Sequence, residues 1–149
     1  MTQLLNFTPH QLNIYVPTQL IALERVRPGL WLADGVSVDS ADHYPIYPEA
    51  IPLRVSGEPV AQEPLQLESG EIPVYALEGK AIEGLSKALR IIAEAEQSGE
   101  PVFIVVSRET KTAAMQMSLP IAAKMLLAHN IVRDRNDQRV VIGALGLIF

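Results

Sequence analysis

The order of apolar and polar positions divides the chain into a strand-rich first half and a second half in which helices and strands alternate. Leu12-Asn13-Ile14-Tyr15-Val16 follows the period-2 pattern of a half-buried strand. Pro17 closes it, because proline has no N–H to give a ladder. Thr8-Pro9-His10 reads as a turn between two short extended pieces. Gly29-Leu30-Trp31-Leu32 predicts another short strand, ended by the turn dipeptide Asp34-Gly35. Pro45, Pro48 and Pro52, set among Tyr44, Ile46 and Tyr47, forbid a helix interior between Val36 and Pro52 and favour an irregular or edge segment. Further strands are predicted at Pro52–Val55 and Ile72–Leu77. Between them the polar stretch from Gly57 to Gly70 reads as a hairpin tip or a loop.

The period then changes. Ile82, Leu85, Leu89, Ile92 and Ala93 recur at three- and four-residue steps, with Lys87, Arg90, Glu94 and Glu96 opposite, which predicts an amphipathic helix over Ala81–Gln97 stopped at Ser98-Gly99. Pro101–Val106 is an unbroken apolar run, the pattern of a strand covered on both faces. Ser107 follows as a natural N-cap. The second helix is expected to run past Thr112, Ala113 and Met117, to kink at Pro120 and to end near His129-Asn130. On that reading Ala113, Met117, Ile121 and Met125 form a core face, part of it available as a dimer seam. Ile131–Arg133 and Val140–Ile142 flank the turn Asp134–Asp137 as a hairpin, and Leu145–Phe149 is a last strand. The sum is an α+β fold, a compact α/β sandwich: a mixed sheet, two main helices on one face, a C-terminal β-hairpin, and residues 1–149 in a single domain.

Composition narrows the class. The chain has 149 residues, 48% of them hydrophobic and 19% charged. That length is enough to bury a core without staples. No cysteine is present, which removes disulfides, thiolate metal sites and thiol nucleophiles and fits a reducing, cytoplasmic compartment. The formal net charge is −5 and the Lys and Arg residues are scattered, which argues against direct DNA or RNA binding. The N-terminus lacks the basic region of a secretory signal, and the longest apolar stretches are far too short to span a bilayer. The oily composition predicts a homo-oligomer.

Candidate chemistry is sparse. An imidazole suits proton transfer, which makes His10 the leading candidate for acid–base work, with Glu83 as the carboxylate; the competing reading makes His10 a turn residue and Glu83 a first-turn acid of the first helix. Ser107-Arg108-Glu109-Thr110-Lys111 opens a helix after a strand, so free N–H groups, Ser107, Thr110 and the charges of Arg108 or Lys111 would suit an anion. The simpler reading is a helix cap. No glycine-rich phosphate loop precedes it. Arg54 and Arg133 complete the candidate ligand set, although Arg133 and Asp134 also fit the flanks of a hairpin turn. A Ser107–His10–Asp134 triad can be drawn, but no nucleophile elbow supports it. His10, His43 and His129 share no metal-ligand spacing, so neither a metal nor a cofactor is expected. Tyr44-Pro45-Ile46-Tyr47-Pro48 could line a groove or pack on its own domain.

Four segments together resemble a family of small uncharacterised proteins of bacteriophages, prophages and bacteria. They are Leu5–Tyr15, with Thr8-Pro9-His10 and Asn13-Ile14; Gly79–Leu85, with Glu83-Gly84-Leu85; Val105-Val106-Ser107; and Val132–Gln138 with Ile142-Gly143. They stand in the family's order and span most of the chain. The chain departs from the pattern at Ser86, where relatives carry proline, at Asn136-Asp137 in place of Asn-Gly, and in the stretch from Val36 to Tyr47. The resemblance implies a phage setting, host takeover or counter-defence, and no mechanism. The expectation is a non-enzymatic cytoplasmic binding protein that sequesters a small nucleotide-type ligand or a host protein. A small hydrolase using His10 and an interaction module without a small-molecule site are the alternatives.

Overall fold

The computed structural model describes residues 1–34 and 43–149, so the part of the proline- and tyrosine-containing stretch before His43 lies outside the described residues. In chain order the elements are β1 (Gln3–Asn6), β2 (Leu12–Ile14), β3 (Glu24–Arg27), β4 (Leu30–Ala33), β5 (Tyr44–Ile46), β6 (Arg54–Ala61), β7 (Leu65–Leu67), β8 (Gly70–Ile72) and β9 (Tyr75–Glu83). Then follow α1 (Leu85–Glu96), β10 (Val102–Val105), α2 (Arg108–Gln116), a 3-10 turn (Pro120–Lys124), β11 (Met125–Asp134) and β12 (Val141–Ile148).

The main sheet is mixed and runs β1-β10-β11-β12-β2-β5, with β4 also on β11 and β3 outside β4. β1, β10 and β11 are parallel, and β11 and β12 form the antiparallel C-terminal hairpin. The chain after β5 returns to β1: Pro48 bridges Asn6, and the Glu49 N–H donates to the Asn6 carbonyl at 2.7 Å. The sheet is thereby curled toward closure. β11 serves two neighbours on one side, β10 through Met125 and Leu126, then β4 from Ile131 onward. Asn130 lies between these two stretches with φ 55°, a left-handed conformation that asparagine tolerates.

The core has two parts. In the larger, Ala88 and Ile92 of α1 and Ala113 and Ala114 of α2 meet Val102, Ile104 and Met125 of the sheet together with Phe7, Leu53 and Ile82. Ile104 and Met125 are fully buried, and burial of such side chains contributes about 1.5–3 kcal/mol each. The smaller part joins Tyr15, Leu20, Ala33 and Val132, flanked by Trp31 and Ile142.

Several expectations are corrected. The first helix begins at Leu85, not Ala81, because residues up to Glu83 are the end of β9, paired through Ile82 with Val55, and Gly84 turns the chain at φ 84°. Glu83 is therefore a strand residue and not a first-turn acid. The second helix stops at Gln116 rather than near His129. Ser118 takes φ 53°, its N–H donates to Met115 O, and the Leu119 N–H donates to Ala114 O, a Schellman closure. Pro120 then opens the 3-10 turn, and Met125–His129 is strand. Of the expected helical core face, Ala113, Ile121 and Met125 are buried as core and Met117 is exposed. The strand foreseen at Leu145–Phe149 is the continuation of the hairpin's second arm. The polar Gly57–Gly70 stretch, expected as a hairpin tip or a loop, lies in a hairpin: β6 and β9 make a long two-stranded ribbon whose outer end is the β7–β8 hairpin.

Candidate functional site

The loop after β1 and the loop after β10 lie next to each other, since β1 and β10 are parallel and in register from Gln3↔Val102 to Asn6↔Val105. The carboxyl ends of parallel strands are where open α/β sheets bind ligands. Asn6, fully buried, builds the first loop. Its Nδ2 donates to the His10 carbonyl at 2.8 Å and the Ile46 carbonyl at 3.1 Å, while its Oδ1 accepts from the Thr8 N–H at 2.9 Å and lies 2.6 Å from the Thr8 hydroxyl. That hydroxyl also lies 3.0 Å from the His10 carbonyl oxygen. Thr8-Pro9-His10 is thus a pinned turn standing between two clefts.

The first cleft, about 640 Å³, runs between this turn, the start of α2 and the base of the ribbon. Arg54 from β6, Lys80 from β9 and Arg108 from α2 line it, with Leu53, Val55 and Leu77 as apolar wall and Glu109 as the only carboxylate among the described residues. Lys80 Nζ reaches Gln116 at 3.4 Å. Neither Arg54 nor Arg108 is in an ion pair among the described residues. Ser107 caps α2: its Oγ accepts from the Thr110 N–H at 3.2 Å and lies 2.9 Å from the Thr110 hydroxyl.

The second cleft, about 550 Å³, is walled by Thr8, His10, Gln11 and Asn13 on one side and by Val105, Ala128, Ile142 and Arg139 on the others. Arg139 is held back by Asp137, whose carboxylate accepts from its Nε at 3.0 Å and Nη2 at 3.2 Å. The Arg139 hydrogen bonds keep the Asp137 carboxyl below its ordinary pKa.

The sequence-predicted residues are therefore divided. Arg54, Ser107 and Arg108 share the first cleft; His10 lines the second. Thr110 is fully buried, its hydroxyl between Ser107 and the Leu53 carbonyl at 3.4 Å, so it fastens α2 to the ribbon base and presents nothing to a ligand. Lys111 points its ammonium at the Phe149 ring, 6.0 Å from the centroid, and does not line the cleft. Arg133 donates to the Gln138 carbonyl at 2.8 Å within the hairpin, away from both clefts. Glu83 is the cross-strand neighbour of Arg54 and lines no cavity with His10. The drawn triad does not assemble: Ser107 bonds Thr110, and Asp134 Oδ1 accepts from the Asn136 N–H at 2.8 Å as a turn former. His43 lies against Tyr15, ring centroids 5.0 Å apart, and His129 faces Gly146 across the β11–β12 ladder. Among the described residues no group of three His, Asp or Glu could hold a metal ion, and no helix is long and apolar enough to cross a membrane.

Two further residues shape the clefts, Lys80 and Asn6. Lys80 stands between Gly79 and Ala81 with no distinguishing neighbour, and only its place on β9 brings it to the cleft. Asn6 was one polar residue in an apolar run, and that placement was the available signal, because a polar side chain on a buried strand must find partners. Compared with protein-family models, with curated proteins and with solved structures, the chain matches none.

Proposed function

We propose that this chain is a non-enzymatic binding protein that holds a small anionic ligand, of the phosphate-bearing nucleotide type, in the cleft between the ribbon base and the start of α2. The observation that carries the reading is that Arg54, Lys80 and Arg108, from three separate elements of an acidic chain, line one cleft with an apolar wall. Its volume of about 640 Å³ is in the range of small-molecule sites. Guanidinium groups suit phosphate through paired N–H donors, and Val55 and Leu77 offer a surface for a flat ring. Sequestration fits better than turnover, because acid–base catalysis needs a placed pair. Among the described residues, Glu109 is the cleft's single carboxylate and no histidine lines it. A phage counter-defence setting in the cytoplasm rests on the resemblance of the four sequence segments.

A thermal-shift series with inorganic phosphate, nucleoside mono- and triphosphates and cyclic nucleotides tests this. A compound at a hundred times its dissociation constant adds about 2.7 kcal/mol, which raises the melting temperature by several degrees in a domain of this size. Arg54→Ala and Arg108→Ala are each expected to weaken the bound compound about tenfold or more, and the compound is expected to be recovered intact. A flat series, or binding indifferent to both substitutions, overturns the cleft assignment; recovery of a cleaved product overturns sequestration.

A further inference from the structure

The ribbon formed by β6 to β9 has an energetic problem of its own. A two-stranded ribbon is marginal in water unless another layer covers it. Its inner end is covered, since Val55, Ile82 and Leu53 pack in the larger core. Its outer part is not: Val60, Leu65, Leu67, Ile72 and Tyr75 are all exposed, between 37% and 62%. The charge is as uneven as the burial. From Glu58 to Glu78 there are five glutamates and no lysine or arginine, so this stretch alone accounts for the formal net charge of −5 and the remaining chain is balanced. Glu58 and Glu78 even stand directly opposite each other on β6 and β9, an arrangement that costs stability unless a cationic surface faces it.

The body carries a surface of the complementary kind. β3 is an outer strand that pairs only with β4, leaving its other edge without a ladder partner among the described residues. All four of its residues are exposed, and they read Glu24-Arg25-Val26-Arg27. Glu24 is already engaged by Arg135 at 2.8 Å. Arg25 and Arg27 have no ion-pair partner among the described residues, and Val26 between them is 51% exposed. We infer that the outer ribbon of one copy docks along the open β3 edge of a second copy, its strand hydrogen bonds extending the sheet, its glutamates facing Arg25 and Arg27, and its apolar side chains covered by the partner's Val26 and neighbouring Ile21. An open edge is a template for an added strand. A reciprocal arrangement about a two-fold axis makes each contact twice. This inference is independent of the ligand cleft.

Light scattering on the eluting chain, across concentration and ionic strength, reads the outcome. A dimer is expected, weaker in high salt because the charge pairs are at a surface. Leu65→Ser with Ile72→Ser, Arg25→Glu with Arg27→Glu, and Glu68→Lys with Glu71→Lys should each raise the dissociation constant about tenfold or more. Mixing the two charge-reversed chains should restore pairing as a heterodimer, a rescue that no misfolded variant gives. A chain that stays monomeric at every concentration overturns the inference. So does a dimer indifferent to the ribbon substitutions, and so does one that responds to the ribbon but not to Arg25 and Arg27, which would place another basic surface opposite the ribbon.

Discussion

The Asn6 amide holds the His10 carbonyl at 2.8 Å, at the centre of the hydrogen-bond network that pins the turn after β1 between the two clefts. Asn6 is buried completely, so each group it satisfies would otherwise lose water without compensation. The Thr8-Pro9-His10 segment is in this light a piece of architecture: Thr8 and the carbonyl of His10 complete the network, and Pro9 contributes a wall of the first cleft.

Replacing Asn6 should be among the costliest polar substitutions in the chain. Asn6→Ala strands the His10 and Ile46 carbonyls and the Thr8 N–H, and is expected to lower unfolding free energy by about 3 kcal/mol. Asn6→Asp preserves size but sets a carboxylate oxygen against two carbonyl oxygens, so its loss should be at least as large near neutral pH. Denaturant titration of the two variants measures both. A loss below about 1 kcal/mol for both would mean the loop does not need this network.

The two glycines near the chain's end make an internal comparison. A Cβ on Gly143 would lie 2.4 Å from the Asn13 carbonyl oxygen and 2.8 Å from the Tyr15 ring, whereas one on Gly146 would meet nothing within 4 Å. Gly143→Ala must push β2 away from β12 and is expected to cost about 2–3 kcal/mol. Gly146→Ala should stay within about 0.5 kcal/mol of the parent. Equal effects would remove close strand approach as the reason for glycine at 143.

Much of the fold was readable because its patterns were local. The apolar run at Pro101–Val106, the N-cap at Ser107 and the turn between Val132 and Val140 each carry their own instruction, and each element stands there. The failures share a different cause. Ile82 fits a helical period, yet its main chain is held by β6 across the ribbon, so tertiary pairing overrides the local signal. Met125–His129 is apolar and Ala-containing, which suits a helix, but it pairs with β10 and β12. β3, with three charged residues in four, shows no strand pattern at all because neither of its faces is buried. The candidate site was half legible: Ser107 and Arg108 announce a helix start, but that Arg54 joins them and Arg133 does not depends on contacts far apart in sequence.

The end of α2 offers a stabilising substitution. Ser118 occupies the left-handed position of a Schellman closure at φ 53°, where a side chain is strained and glycine is at ease. Ser118→Gly removes that strain but adds freedom to the unfolded chain, which offsets part of the gain. A net rise of about 0.5 kcal/mol is expected in denaturant titration, and Ser118→Val, β-branched at the same φ, should fall by about 1–2 kcal/mol. Should valine be neutral, the left-handed turn is not maintained in solution.

Tyr15 predicts an alkaline limit to stability. The residue is 8% exposed, packed with Leu20, Ala33 and Val132 and set at a tilt against the His43 ring. Burial raises its phenol pKa above the ordinary 10.0, because the phenolate would lose water on entering the core. The folded protein thus holds the Tyr15 proton more tightly than the unfolded chain. The stability linked to this group is complete below pH 10.0 and is lost as pH rises through 10.0 toward the folded value. Tyr15→Phe keeps the ring and removes the ionisation, so its unfolding free energy should fall less steeply with alkali than the parent's. The same pair, compared by tyrosinate absorbance, should show the parent's additional phenolate appearing together with unfolding. Parallel pH profiles for the two chains would place Tyr15 in water rather than in the smaller core.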